Sequence, residues 1–408
     1  MRAGRLLACL LGVLAAGSVP LPTAAEPSTP PWPSSRPGEA AAFRAFLDGL
    51  WPEAAAAGIP RATFDAALRD LIAPDPKIVA QAKSQSEFSR SISEYVAGAA
   101  SPERVAKGRA LATRWSSVLD NIERRYRVQR DIVLAIWGLE SGFGAVSGGF
   151  PVVRALATLA FVGQRRDVFR RELIDALRIM QGEHLPPAAL TGSWAGAMGQ
   201  TQFMPSSFLA HAVDGDGDGR RDIWNSAPDV LASIANFIAQ SGWQAGLPWG
   251  FEIVLPAGMD LSLHRRAFAD WGRLGVRRAD GKPLPPTGDA SLFWPAGIKG
   301  PAFLLTDNFE AIRAYNTSDS YALGVGLLAD RIGGGGPLTR AWPNQRVLSG
   351  DERREVHNRL AALGLYSGTP DGKFGAQTRD AVRRFQLGRG MVPDGYADAA
   401  VLEALRRR

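Results

Sequence analysis

The chain of 408 residues holds one cysteine, Cys9, and four histidines. A single cysteine cannot build an internal disulfide scaffold, and because it falls in an expected N-terminal leader, no thiol nucleophile is expected in the mature chain. His184, His211, His264 and His357 are widely separated and form no HExxH pair, which argues against a zinc hydrolase. No serine stands three residues before a lysine, no GxSxG elbow occurs, and no lysine is followed by Ser or Thr in a phosphate loop. The common penicillin-target, esterase and nucleotide chemistries are therefore disfavoured. The longest N-terminal apolar run, Leu6–Ala16, falls short of the ~20 residues a membrane span requires. What remains is carboxylate chemistry.

The composition is otherwise ordinary, with 46% hydrophobic and 21% charged residues, and the length suits two or three domains of ~150 residues. Arg2 and Arg5, the apolar run and Thr23-Ala24-Ala25 follow the order of a secretory signal, with cleavage expected after Ala25. The apolar segment continues beyond Cys9, which favours that cleavage over lipidation at the cysteine. Losing the leader takes the net charge from +7 to +5 and removes the only cysteine. A periplasmic protein with no transmembrane segment in its mature chain is expected. Its positive balance suits nucleic acid, an anionic surface or an acidic polymer, and a solvated mixed surface equally.

Residues 26–38 read as a Pro/Ser-rich linker, and helical spacing begins at Phe43, Phe46, Leu47 and Leu50. Asp65–Leu71, Ser101–Ile122, Asp131–Leu139, Gln164–Met180 and Asp229–Ala239 also read as helices. In the second, Leu111, Trp115, Val118 and Ile122 are expected on one buried face. Phe251–Pro301 is rich in glycine and proline and reads as a small strand and loop insertion. A flexible Gly/Pro linker is expected at 333–345, tethering a compact unit at 346–408.

Glu140 ends the apolar run Ile132–Leu139 and is followed by Ser141-Gly142-Phe143-Gly144. A carboxylate beside Trp137 and Phe143 loses hydration, so its pKa is expected to rise toward that of a proton donor. A surface glutamate before a glycine cap has the same local pattern. The segment Ser193–Ser207 (SWAGAMGQTQFMPSS) mixes small residues, amides and aromatics, and can bring backbone close to a sugar.

Together, ESGFG and SWAGAMGQTQFMPSS resemble the lytic murein transglycosylases of the B type, relatives of the lysozyme fold. Gly58–Phe64, Gln85–Val96, Arg313–Asn316 and Tyr321–Leu323 extend the resemblance over about 40–332. It implies a mainly α (α+β) core at 39–332 that cleaves the MurNAc–GlcNAc bond of peptidoglycan without water, leaving 1,6-anhydro ends. Glu140 would act first as acid and then as base. It further implies a cleft containing Tyr95, Arg165, Arg166, Ser193, Gln202, Tyr315, Asn316 and Tyr321. The two arginines also suit a solvated basic face, and the tyrosines suit core packing. Phe237 departs from the family pattern, where a tyrosine is expected. A conventional glycosidase requires a second carboxylate. Asp131 and Glu172 are candidates for it, but both read as solvated helix positions.

Asp214, Asp216, Asp218 and Asp222, with Gly219 at position six, follow the spacing of an EF-hand loop. Asn225 stands where the bidentate glutamate belongs, and Asp229 is a substitute if the loop is longer. A structural Ca2+ or Na+ is implied, with no cofactor for catalysis; a metal-free acidic turn has the same sequence. The terminal unit, with Leu363-Gly364-Leu365-Tyr366, Asp371–Gly375, Val382 and Phe385, resembles a small three-helix peptidoglycan-binding domain. Glycan strands, and not nucleic acid, are the partner the resemblance implies, with other cell-wall enzymes as candidates and a monomer as the expected state. A hydrolytic muramidase and a non-catalytic wall-binding protein remain the alternatives.

Overall fold

A computed structural model describes residues 38–84 and 91–407. The expected leader with Cys9, the Pro/Ser segment up to residue 37 and the start of the Gln85–Val96 stretch lie outside the described residues. The protein is mainly α, as expected, with one small antiparallel sheet and a short ribbon. It divides into two compact units. Among the described residues, one contains 38–84 and 139–233 and is called here the Glu140 unit. The other contains 91–138 and 234–407 and is called the tyrosine unit.

The Glu140 unit is built around the helix Val152–Val162, where Val152, Val153 and the run Ala155–Ala160 are all buried. A helix apolar on nearly every side must be surrounded. Glu39–Asp48, Pro76–Ser84 and Arg166–Gly182 pack on it. Phe43 meets Phe161 edge-on at 5.3 Å. Leu173, Ile174, Leu177 and Met180 form the buried stripe of Arg166–Gly182. Glu172 on the same helix is 8% exposed, not solvated. Its two carboxylate oxygens accept the backbone N–H of Ser206 (2.9 Å) and its hydroxyl (2.7 Å). It thereby caps the first turn of Pro205–His211.

In the tyrosine unit, the expected helix over 101–122 is two helices, Pro102–Arg114 and Ser116–Tyr126, broken at Trp115. The break resets the helical phase, so Leu119 and Ile122 are buried while Trp115 and Val118 are half-exposed. The insertion is a five-stranded antiparallel sheet. Its spatial order is Arg265–Ala267, Asp289–Phe293, Ala302–Leu305, Gly250–Val254, Arg277–Arg278. Phe251, Phe268, Trp271, Leu292, Trp294 and Leu304 fill its core. The buried Trp271 indole donates to the Ala290 carbonyl at 3.0 Å.

The terminal helices Gly350–Ala362, Ala376–Gly388 and Ala399–Arg406 enclose Val356, Leu360, Val382, Phe385 and Leu402. Here Val382 and Phe385 are core residues. His357 is fully buried among them. Its Nδ1 accepts the Gly372 N–H (3.2 Å), so its proton sits on Nε2, 3.0 Å from the Thr378 hydroxyl. Burial holds its pKa below the ordinary histidine value. The segment before these helices, expected to be a flexible tether, is tied down. The Glu252 carboxylate accepts the N–H groups of Thr339 (2.7 Å) and Arg340 (2.9 Å), and Gln345 donates to the Ala296 carbonyl at 3.0 Å. The polar groups flanking the glycines hold the segment, which glycine content alone does not reveal.

Candidate active site

Glu140 stands at the end of the helix Arg130–Ser141, half-buried, immediately after eight buried residues, Ile132–Leu139. The chain then leaves the helix through three consecutive left-handed residues: Gly142 (φ 60°), Phe143 (φ 60°) and Gly144 (φ 78°). A side chain at positive φ costs roughly 1–2 kcal/mol, so the surroundings must impose the Phe143 conformation. The Ser141 hydroxyl accepts the Gly144 N–H at 3.0 Å. Gly144 also lies against Gln200, where a Cβ would come within 2.4 Å of Oε1. Gln200 is itself anchored, its Nε2 on the Trp224 carbonyl (2.7 Å) and its N–H on that of Ile223 (2.8 Å).

The second motif therefore backs the first. Gln202, at φ 53°, donates its amide nitrogen to the carbonyls of Gly199 (2.8 Å) and Ser147 (3.0 Å), the latter just beyond the Glu140 turn. Ser193 caps its own turn, its hydroxyl oxygen accepting the N–H groups of Ala195 (3.3 Å) and Ala197 (3.1 Å). The hydroxyl proton remains available as a donor. Arg165 and Arg166 are exposed at the start of Arg166–Gly182.

The remaining expected residues gather in the tyrosine unit. Tyr315 ends the helix Asp307–Tyr315, Asn316 follows it, and Tyr321 lies in the first turn of Asp319–Ile332. The two tyrosine rings are nearly parallel, with centroids 6.5 Å apart and planes at 11°. Phe237 packs on Tyr315 at 4.7 Å. Asn316 is buried, and its side-chain oxygen accepts the Ser318 N–H at 3.3 Å. Tyr95 lies against Gly324, where a Cβ would stand 3.0 Å from its ring.

The acidic loop gathers a different set from the one its spacing suggests. Asp214, Asp216 and Asp229 each offer a carboxylate oxygen, all within 4.8 Å of one another. Asp222 instead caps the following turn through the N–H groups of Trp224 (3.0 Å) and Asn225 (2.9 Å), and Asp218 accepts from Arg220 N–H. The loop closes on the helix residue Asp229 in place of position twelve. Asp229 is fully buried, and burial raises its pKa; backbone N–H groups led by that of Gly219 lower that of Asp214. Three converging carboxylates of this kind fit a hard cation.

The family model described as "Transglycosylase SLT domain" matches residues 42–330. The chain belongs to that family. A second model, "Putative peptidoglycan binding domain", matches 349–405 of this SLT transglycosylase. The chain is 32% identical over 236 residues to membrane-bound lytic murein transglycosylase B of Escherichia coli (strain K12), a match covering 57% of this chain and 64% of that relative. Among solved structures, SltB3 from Pseudomonas aeruginosa, in complex with NAG-anhNAM-pentapeptide, is 46% identical with a TM-score of 0.82. That match covers 89% of this chain and 99% of SltB3. The Escherichia coli lytic transglycosylase SLT35 in complex with calcium is 27% identical with a TM-score of 0.60, over 71% of this chain and 92% of that one.

Two residues in the site were not singled out from sequence. Gln200 lies within the second motif, but only its contact with Gly144 reveals its role. Asp319 carries no local signal beyond its place at the start of a helix.

Proposed function

We propose that this SLT transglycosylase cleaves the MurNAc–GlcNAc β-1,4 bond of peptidoglycan by intramolecular transfer, with Glu140 as its one catalytic acid and base. The observation that carries this is the setting of Glu140: a half-buried carboxylate after a buried helix, presented on a three-residue left-handed turn that Gln200 and Gln202 support. Glu140 gives its proton to the glycosidic oxygen as the bond to C1 of MurNAc breaks, and GlcNAc leaves with a free 4-hydroxyl. The Glu140 carboxylate then takes the proton from the C6 hydroxyl as that oxygen bonds to C1. The product is a 1,6-anhydro end, no water is consumed, and Glu140 is protonated again.

A hydrolase would need a second carboxylate about 5–5.5 Å or 6.5–9.5 Å away. Glu172, one candidate, has both oxygens occupied by Ser206. SltB3 has been solved with an anhydro-muropeptide, which fits the same reaction here. Ser193 and Gln202 are assigned to the N-acetyl group and hydroxyls near the cleavage point. Tyr315, Asn316, Tyr321 and Tyr95 are assigned to further sugar contacts, and Arg165 and Arg166 to the negative charge of the stem peptide.

The cluster of Asp214, Asp216 and Asp229 is assigned a structural Ca2+ or Na+ that braces the loop. Export through residues 1–25 and action in the periplasm follow from the same reading of the leader. In the direct test, Glu140→Gln abolishes product release from murein while binding to sacculi persists. Normal turnover by that variant would sink the assignment.

A further inference from the structure

The wall-binding helices reach the site-bearing turn of their own unit through one side chain. Asp319 opens the helix that carries Tyr321, and its carboxylate lies between two guanidinium groups. Arg313, from the helix ending at Tyr315, places Nε 2.8 Å from Oδ1, and it also donates to the Thr317 carbonyl at 3.2 Å. Arg379, from the terminal helix Ala376–Gly388, pairs with the other oxygen. The three side chains are only 13–18% exposed. Glu310 closes the group through Arg313 at 2.6 Å, so two carboxylates face two guanidinium groups.

The Arg379 guanidinium also stacks over the Phe293 ring of the sheet at 4.9 Å. Nearby, the Asp394 carboxylate accepts the Ile298 N–H at 3.0 Å, joining the terminal helices to the loop after Phe293. These helices are therefore docked at the turn that links Tyr315, Asn316 and Tyr321. A buried ion pair of this kind contributes little net stability but fixes geometry, and losing one partner leaves the other charge uncompensated.

We propose that Arg379 is a positioning residue for the transglycosylase reaction, acting through Asp319 to hold the Tyr315–Tyr321 turn in register for substrate. The terminal domain is then part of the working site as well as an anchor to the wall. This rests on the reading that the turn meets the glycan.

The test uses full-length R379A, R379K and D319N with soluble uncrosslinked glycan strands, following release of anhydro ends. Sacculus pelleting and circular dichroism are recorded for each variant. R379A is expected to lower kcat roughly 10–100-fold, the scale of a small misplacement of substrate-positioning groups, with little change in KM. R379K restores part of the loss, and pelleting is unchanged. D319N reproduces the kcat effect from the other side of the contact, so the test survives if R379A does not fold. A wild-type kcat in folded R379A or D319N overturns the proposal, as does a loss seen only in sacculus binding. E140Q, run alongside, separates the two readings: full turnover by that variant contradicts the proposed function whatever Arg379 does.

Discussion

The two units support their own candidate residues by different means. Around Glu140, the support is backbone: consecutive left-handed residues, a glycine pressed on Gln200, and amides tied to loop carbonyls. In the tyrosine unit it is side chain: parallel rings, a buried phenylalanine behind them, and an ion-pair group fixing the turn. A backbone-built site tolerates almost no added atoms but is insensitive to distant surface charge. A side-chain-built site is the reverse, since its rings can be exchanged conservatively while its register depends on partners from other helices.

That contrast can be broken most sharply at Gly144. Gly144→Ala adds a Cβ where Gln200 already sits and requires positive φ from an L residue. A fall in kcat of about 100-fold is expected, measured on soluble strands. Tolerance of alanine would mean that the turn is not the rigid element described here. The cation assigned to Asp214, Asp216 and Asp229 comes next. A chelator should lower the melting midpoint by several degrees, the scale of ~2.7 kcal/mol for a ligand at a hundred times its Kd, while kcat at 25 °C holds. Calorimetry with and without added calcium checks this.

A smaller effect is expected in the tyrosine unit. Tyr321→Phe keeps the ring on Tyr315 and removes one hydroxyl, so kcat/KM should fall roughly five- to tenfold, about one hydrogen bond. A loss as large as that of Gly144→Ala would erase the distinction between the two modes of support. The smallest effect is a pH dependence in the terminal helices. Buried His357 has a lowered pKa in the folded state, so below about pH 6.5 the unfolded chain binds a proton that the folded chain does not. Stability of these helices therefore declines on acidification through that range and is restored as pH rises. Thermal melts from pH 7 to 5 should show the decline, and His357→Gln should flatten it.

The same contrast explains what could be read in advance. Glycines at strained positions leave their mark in the sequence, so ESGFG and the segment from Ser193 pointed to a site before any contact was visible. The helical core was legible from apolar periodicity and the strand insertion from its glycines and prolines, whereas the three terminal helices were implied by the resemblance of their motifs to a peptidoglycan-binding domain. The break at Trp115 was not legible, because the apolar spacing runs across it and only tertiary packing chooses the phase. Glu172 was misread because a partner 34 residues away buries it. The acidic loop followed EF-hand spacing, yet the chain closes it on Asp229 and turns Asp222 to a cap. Arg379 was invisible: nothing near it in sequence foretells an ion pair with a residue sixty positions earlier.

The central claim is that one carboxylate serves as acid and then base with no water entering. Purified murein digested by the full-length protein, with the released muropeptides weighed by mass spectrometry, tests it most directly. The account predicts 1,6-anhydro-MurNAc ends, each lighter than a reducing end by one water. Reducing MurNAc ends as the main product would contradict it and establish a hydrolytic muramidase.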